Sequence, residues 1–162
     1  MNAKKITIAA LLTASAIIIP FIVVFKVVIP PFTATLGAHV PMFIAMLLGP
    51  ETVIMVGLGS ALGFFLNLGP LVGARAFMHV FVGLTGAYLI KKGMSFGKVV
   101  TITAPIHGVL EGLVVMPFIG IDVYNLIIIT VVGTILHHMA DGFIAHLIIR
   151  VLERTSLFKS AQ

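Results

Sequence analysis

The sequence predicts an all-α polytopic membrane protein, a bundle of six transmembrane helices that forms one integral membrane domain over residues 1–162. Hydrophobic residues make up 60% of the chain and charged residues only 9%, whereas a soluble domain carries about 25% charged residues. Charge this sparse cannot cover the surface of a soluble protein, so membrane lipid is the main solvent. The apolar stretches also approach the length of about 20 residues that a helix needs to cross the hydrocarbon core.

The first span is predicted over residues 6–25, an uncharged stretch between Lys5 and Lys26. A secretory signal peptide is the competing interpretation, because two lysines precede an apolar run and Ala14-Ser15-Ala16 resembles a cleavage site. The apolar run continues well past that tripeptide, which favours a span.

Residues 26–39 are predicted to form an external loop, because Pro30-Pro31 interrupts regular helix and Gly37 loosens the chain. A short second helix follows over residues 40–48 and ends at a cytoplasmic turn, Gly49-Pro50-Glu51. The third span is predicted over residues 51–68. An external loop over residues 69–74 then leads into the fourth span, residues 75–90.

The fifth and sixth spans are predicted over residues 99–117 and 124–150, joined by an external turn. Lysine and arginine accumulate in cytoplasmic loops. Eight of the ten basic residues fall in three clusters that this arrangement places on one side: Lys4, Lys5; Lys91, Lys92, Lys98; Arg150, Arg154, Lys159. The sequence therefore predicts a cell-membrane protein with both termini in the cytoplasm.

Several other classes are excluded or disfavoured. Continuous apolar runs of helical length argue against a β-barrel, whose strands alternate. Long apolar stretches separate the basic clusters, which is the pattern of cytoplasmic loops, so nucleic-acid binding is not expected despite the net charge of +5. Cysteine is absent, which excludes disulfides, thiol catalysis and thiolate metal sites.

Ionisable residues inside the predicted spans point to a polar interior. Each is costly in a bilayer, roughly 2.5–3.5 kcal/mol on insertion scales, and should face protein or water. In each of spans four, five and six, two such residues stand four apart and share a helix face. They are Arg75 and His79; His107 and Glu111; and His137 with Asp141, beside His138 and His146.

A substrate site is expected where these residues approach the external surface. Loops 30–37 and 69–74 are expected to close over the ligand. The predicted substrate-binding residues are Arg75, His79, Glu111, His107, Asn67, His39, Thr33, Tyr124 and Asn125.

Structural roles compete with ligand binding at several of these positions. Arg75 could extend to the interface or pair with Glu111 instead of holding a ligand. His107 could be a core histidine bonded to a carbonyl group. Asp141 is better explained as an internal partner of His137 or His138.

Neither cofactor nor metal site is predicted, although the six histidines leave open a zinc or nickel site assembled across helices, and the chain is not expected to be an enzyme. The histidine spacing does not match H-E-x-x-H, and His107-x-x-x-Glu111 offers two ligands only. A P-loop is absent from the sequence. ATP hydrolysis would have to come from partner subunits.

Small residues mark predicted helix contacts, since they let backbones approach closely in lipid. Gly57, Gly59 and Gly63 lie in the third span, and Gly83 and Gly86 in the fourth. In the first span, Ala10-x-x-x-Ala14 forms a stripe of small residues near the cytoplasmic end.

Taken together, these features resemble the substrate-binding S component of energy-coupling factor (ECF) vitamin transporters. The resemblance covers nearly the whole chain, including the opening KKITIAALLTASAII with its A-x-x-x-A motif. It implies that Ala10 and Ala14 dock onto a transmembrane T component, which works with two cytoplasmic ATPase subunits.

Within that family, IPPFTATLGAHVPMFIAMLLGP is most similar to the niacin-specific members. The resemblance therefore implies a small vitamin, nicotinate or nicotinamide, as ligand. An arginine also suits other carboxylate vitamins such as pantothenate.

Two function classes compete with a vitamin receptor. An intramembrane enzyme could use Glu111 and His107 as acid and base, and would need a cofactor or a close carboxylate pair. A channel or secondary transporter would favour internal repeats with broken helices, which the two halves of the sequence do not show.

Overall fold

The structure is a computed structural model that describes residues 2–154, so Lys159 of the predicted basic tail lies outside the described residues. The described chain forms six α-helices and one β-hairpin, which confirms the predicted all-α membrane bundle. The helices are α1 (Ala3–Ile22), α2 (Val40–Leu48), α3 (Pro50–Leu68), α4 (Pro70–Lys91), α5 (Phe96–Ile119) and α6 (Gly133–Leu152). A π-helical stretch, Tyr124–Val132, runs directly into α6.

Five of these helical segments are long and apolar enough to cross a membrane: α1, α3, α4, α5, and α6 with its π-helical extension. The short helix is α2, whose nine residues extend only about 14 Å. A short second helix was predicted at this position and counted among the six spans. In the structure it is buried along most of its length rather than exposed to lipid.

Helix α1 begins three residues earlier and ends three residues earlier than predicted. The side chain of Asn2 accepts a hydrogen bond from the backbone N–H of Lys5 at 2.8 Å, which caps the first turn. At Val23 the backbone turns to an extended conformation. Phe25 therefore lies outside the helix and leads into the hairpin.

The predicted irregular loop after α1 is an antiparallel β-hairpin, β1 (Lys26–Ile29) and β2 (Phe32–Thr35). Lys26 pairs with Thr35 and Ile29 with Phe32. The prediction of a loop was wrong because Pro30-Pro31 occupies the turn, where the hairpin needs no N–H donor from either proline. All of β1 is exposed, while Phe32 and Thr35 of β2 are buried.

The second predicted loop, residues 69–74, is also wrong, because α4 already begins at Pro70. Proline suits the first helical position, since its ring fixes a helical φ and its missing N–H would be unpaired there. Gly69, with φ of 86°, makes the turn from α3. Arg75 therefore stands inside α4, about 7 to 8 Å along the axis from its start.

The long helices stand around α2. Along the chain, α3 packs on α1, α4 on α3, α5 on α4, and α6 on α5, while α2 contacts α1, α3, α4 and α6. The small residues predicted to allow close contacts do so. A Cβ atom on Gly63 would lie 2.8 Å from Cα of Ile17 in α1, and one on Gly57 would lie 3.0 Å from Cα of Val80 in α4.

The two ends of the bundle differ in charge. We call the end that carries the hairpin the hairpin end, and the opposite end the basic end. At the basic end, Lys5 Nζ lies 3.7 Å from a carboxylate oxygen of Glu51, so α1 and α3 both start there. The lysines that end α4, and Arg150 in the last turn of α6, also lie at the basic end.

Candidate functional site

Buried polar side chains converge beneath the hairpin, where α2 begins in the middle of the bundle. They surround a cavity of about 20 Å³, which is room for a water molecule but not for a six-membered ring. The cavity is lined by Thr33, Thr35, Ala38, His39, Phe64, Val72, Arg75, Ala76, His79, Glu111 and His137.

Arg75 is the centre of this site and is only 3% exposed. Its Nε and Nη2 donate to the same Glu111 oxygen, Oε2, at 2.9 and 2.6 Å. Its other hydrogen bonds go to the hairpin and are long: Pro31 O at 3.2 Å, and the hydroxyl and carbonyl oxygens of Thr33 at 3.3 Å. The guanidinium also stands 5.3 Å from the centre of the Phe32 ring, so it ties the hairpin to the helices.

Glu111 balances the charge of Arg75 from α5. Its Oε2 accepts a third hydrogen bond from the hydroxyl of Thr134 in α6 at 2.6 Å. Because a buried charge needs both an opposite charge and hydrogen bonds, Glu111 and Thr134 explain how Arg75 is tolerated inside a membrane bundle.

Asp141 of α6 fixes the start of α2. Its carboxylate accepts the backbone N–H groups of Gly37 at 2.7 Å and His39 at 3.0 Å, which would otherwise be unpaired next to a helix N-terminus. Its Oδ2 also contacts His39 Nδ1 at 2.9 Å and His137 Nε2 at 3.1 Å. Of the two partners expected for Asp141, the structure provides His137.

Five imidazoles crowd together at the cavity, and three of them, those of His39, His79 and His137, form part of its wall. The ring centre of His39 lies 4.8 Å from those of His79 and His107, and 4.4 Å from that of His137. His79 Nδ1 bonds to Ser60 Oγ at 2.9 Å, which leaves its Nε2 for other partners. The sixth histidine, His146, is outside this cluster and stacks on Phe96.

His107 and His138 meet between α5 and α6, with their Nδ1 atoms 3.1 Å apart. His138 Nε2 contacts the hydroxyl of Thr103 at 3.0 Å. His107 Nε2 lies 3.3 Å from Glu111 Oε1, but off the line that a hydrogen bond requires. We therefore treat that contact as electrostatic, with Nε2 lacking a hydrogen-bond partner among the described residues.

The structure brings together most of the predicted site residues. Arg75, His79, Glu111, His39 and Thr33 line the cavity. His107 stands behind Glu111 rather than in the wall.

Three predicted residues lie elsewhere. Asn67 is not in the cavity wall, and Tyr124 is 63% exposed. Asn125 instead bonds to Asp122 through its backbone N–H at 3.1 Å and its side chain at 2.6 Å. Those two hydrogen bonds hold the pKa of Asp122 below its usual value.

Sequence reasoning missed Thr134 and Ser60, and it placed His137 outside the site. A signal for two of them is present in α6, because Thr134, His137 and Asp141 recur at three- and four-residue spacing and so share one face. Ser60 sits among glycines in α3 and carries no comparable signal.

The arrangement suits recognition of a small anion. A buried guanidinium attracts a carboxylate, and Phe64, Val72 and Ala76 form an apolar wall on which a flat ring can lie. The imidazoles of His39 and His79 supply donors or acceptors on the side away from the hairpin.

Glu111→Gln should strongly destabilise the protein, because it leaves the Arg75 charge buried without its partner. Losing one partner of a buried ion pair costs about 3–5 kcal/mol. The double variant Arg75→Met/Glu111→Gln should be more stable than Glu111→Gln alone, measured as the free energy of unfolding in detergent.

Glu51→Gln is the matched control, because that carboxylate is 61% exposed and its loss should leave the unfolding midpoint unchanged. If the two substitutions at Arg75 and Glu111 simply add, the account of the pair is wrong.

Comparison with known proteins gives one informative relative. The niacin transporter NiaX of Lactococcus lactis subsp. cremoris (strain MG1363) is 35% identical to this chain over 154 residues, which cover 85% of this chain and 69% of NiaX. No family model matches the chain, and no solved structure matches it. The chain therefore belongs to the family of this transporter, the S components of ECF vitamin transporters that its sequence resembles.

Proposed function

We propose that this chain is the substrate-binding subunit of an ECF importer and that it captures nicotinate. The name of its relative NiaX supports niacin as the vitamin. The observation that carries the proposal is the position of Arg75, a buried guanidinium in the wall of the cavity whose bonds to the hairpin are long and uncharged.

A ligand carboxylate can replace those bonds. Hydrogen bonds between a guanidinium and a carboxylate are shorter and roughly twice as strong as bonds to neutral acceptors. Nη1 and Nη2 would exchange Pro31 and Thr33 for the two oxygens of nicotinate, while Nε and Nη2 keep their contacts with Glu111. The exchange favours binding without leaving Glu111 unpaired.

The ring of the ligand can be placed from the same contacts. With its carboxylate on Arg75, the pyridine ring would lie against Phe64 and Val72. Its nitrogen would face His79, whose Nδ1 is held by Ser60, so that Nε2 can donate to it. Pantothenate also has a carboxylate, but it lacks a flat ring and a basic nitrogen that would use these groups.

Binding requires the hairpin to move, because the cavity holds about 20 Å³. The hairpin is suited to this movement, since all four residues of β1 are exposed. Arg75 and Asp141 hold it through polar contacts on β2 and the following turn. In this proposal the hairpin closes over the ligand. Residues 69–74, which form the turn after α3 and the first residues of α4, stay in place.

Charge supports an orientation in the membrane. Lys5, Lys91 and Arg150 lie at the basic end, whereas Lys26 and Arg75 lie toward the hairpin end. Under the positive-inside rule, the basic end, with the start of α1 and the end of α6, faces the cytoplasm. The cavity then opens toward the outside, as uptake requires.

Helix α1 supplies the surface for a T component. Ala10 and Ala14 are both exposed and lie one turn apart on one face, near the basic end. Small residues there let a helix of another subunit approach closely. The T component, with two ATPase subunits on the cytoplasmic side, would dock at this face.

Nicotinate binding should depend on Arg75. The full-length chain, purified in detergent, is titrated with radiolabelled nicotinate. Arg75→Gln should weaken binding by at least about 30-fold, since losing one partner of a buried charge pair costs about 2–5 kcal/mol. Arg75→Lys should also bind more weakly, because an ammonium cannot form the same fork of hydrogen bonds.

Arg150→Gln, at the basic end, is the control and should bind like the unmodified chain. Unchanged affinity in Arg75→Gln, in protein that elutes as a single species, would refute the assignment of Arg75. Tighter binding of pantothenate than of nicotinate would refute the vitamin but not the family.

Bulky residues on α1 should uncouple binding from uptake. Ala10→Leu/Ala14→Leu should lower nicotinate uptake into cells that contain the partner subunits to background, because the T component can no longer approach. Binding by the purified variant should be unaffected, since α1 does not line the cavity.

Thr101→Leu places the same bulk on an exposed position of α5 and should transport normally. Uptake at the normal rate by the α1 double variant would show that this face is not the docking surface.

A further inference from the structure

Two imidazoles of this protein, those of His107 and His138, contact each other through ring nitrogens, and neither belongs to the cavity wall. Both rings are fully buried, and their Nδ1 atoms are 3.1 Å apart. The role proposed above for Arg75 and the cavity uses neither ring. The groups around this pair have fewer hydrogens to donate than they have contacts to fill, so the contact needs an explanation.

One end of the hydrogen-bond chain through these rings is fixed by Thr103. Its hydroxyl lies 2.8 Å from the carbonyl oxygen of Val99 and has one hydrogen to donate. With that hydrogen on Val99, Thr103 accepts from His138 Nε2 at 3.0 Å. Nδ1 of a neutral His138 then carries a lone pair directed at His107.

At the other end lies the Glu111 carboxylate, which only accepts. If the proton of His107 is on Nε2, toward Glu111 Oε1 at 3.3 Å, the two Nδ1 lone pairs face each other at 3.1 Å. If it is on Nδ1, the Nε2 lone pair faces the carboxylate instead. If Thr103 instead donates its hydrogen to His138 Nε2, no hydrogen is left between the Thr103 hydroxyl oxygen and the carbonyl oxygen of Val99. Each neutral arrangement leaves one pair of acceptors facing each other, and one additional positive charge between these groups would relieve that repulsion.

A third imidazole reaches the same place. His39 holds Asp141 Oδ2 through Nδ1 at 2.9 Å, which leaves Nε2 as its free ligand atom. One nitrogen each of His39, His107 and His138 lies within 4.8 Å of the others, and all three residues are buried. A proton would join two of these rings, whereas a metal ion joins all three.

We propose that these three histidines bind a divalent first-row transition ion of the Zn²⁺ class. Two nitrogens bound to one tetrahedral Zn²⁺ at 2.0–2.1 Å are about 3.4 Å apart, close to the separation of the two Nδ1 atoms. His39 has to approach by no more than about 1.4 Å to complete the set. Since His39 also lines the cavity, an ion can reach the site from there.

The groups behind the three rings fit this assignment. Histidines that bind a metal usually donate their second N–H to an oxygen, which fixes the tautomer and the ring orientation. Here Asp141 lies behind His39 and Thr103 behind His138, both at hydrogen-bond distance, and Glu111 Oε1 lies 3.3 Å from Nε2 of His107. The two carboxylates also offset the charge of a divalent ion, with Glu111 shared between the site and Arg75.

Two other groupings of buried ligands share members with this one: His39, His137 and Asp141, and His79, His107 and Glu111. In the first, Asp141 already accepts two backbone N–H groups. In the second, Glu111 already holds Arg75 and Thr134. A metal in either would compete with bonds that the fold uses, whereas the Nδ1 atoms of His107 and His138 have only each other.

The test uses metal alone, without vitamin, on the full-length chain in detergent, so its outcome is separate from that of the nicotinate titration. The protein is equilibrated with Zn²⁺, freed of excess ion, and its metal content is measured by mass spectrometry. We expect one ion per chain. Co²⁺ in the same site should give the visible absorption of a tetrahedral complex.

Single substitutions distinguish the three groupings. His138→Gln should abolish stoichiometric binding, whereas His137→Gln and His79→Gln should retain it. His146→Gln is the matched control, because it removes a histidine outside the cluster. Thr103→Val keeps all three ligands but loses the oxygen behind His138, and should weaken affinity by about 10-fold or more.

Absence of stoichiometric metal in the unmodified protein would overturn the proposal and assign the additional positive charge to a proton. Metal that persists in His138→Gln, or that is lost in the His146→Gln control, would overturn it as well.

Discussion

The buried ion pair between Arg75 and Glu111 is the interaction on which the rest of this structure depends. A guanidinium that is 3% exposed inside an apolar bundle is tolerated only with an opposite charge and with all its donors bonded. Four elements meet that requirement together, since α4 carries the arginine, α5 the carboxylate, α6 the hydroxyl of Thr134, and the hairpin the remaining acceptors. The charge thus determines which helices meet and where the hairpin rests.

The short helix α2 provides the space for this pair. Because α2 begins in the middle of the bundle, its N-terminal N–H groups need a partner there, and Asp141 supplies it. The five crowded histidines lie at the cavity, three of them in its wall. The buried ionisable side chains are therefore confined to one layer, with the apolar core around α2 on the basic side of it.

Much of this arrangement could be predicted from the sequence, because its causes are local. The apolar runs define five helices long enough to span a membrane, and the four-residue spacing of Arg75 with His79 and of His107 with Glu111 places each pair on one inward face. The hairpin could not be predicted, since its stability depends on the contacts of Arg75 with Pro31 and Thr33, more than 40 residues away.

The start of α4 and the contacts between the site residues could not be predicted from the local sequence either. Gly69-Pro70 suggested the end of a helix, but it is equally a turn followed by a helix start, and only packing against α3 decides between them. Likewise, the pairing of His39 with Asp141 joins residues 102 positions apart, which no spacing rule reveals. Asn67, Tyr124 and Asn125 were assigned to the site from their proximity in the predicted topology alone, and none of them belongs to the wall of the cavity.

The central claim is that Arg75 exchanges its hairpin contacts for the ligand, and distance measurement between spin labels tests it most directly. The chain has no cysteine, so Val28→Cys in β1 and Leu66→Cys in α3, both at exposed positions, give two defined labels. Saturating nicotinate should shift the peak of the distance distribution between the hairpin label and the helix label to a different value. A distribution that stays the same, in labelled protein shown to have bound nicotinate, would contradict the account.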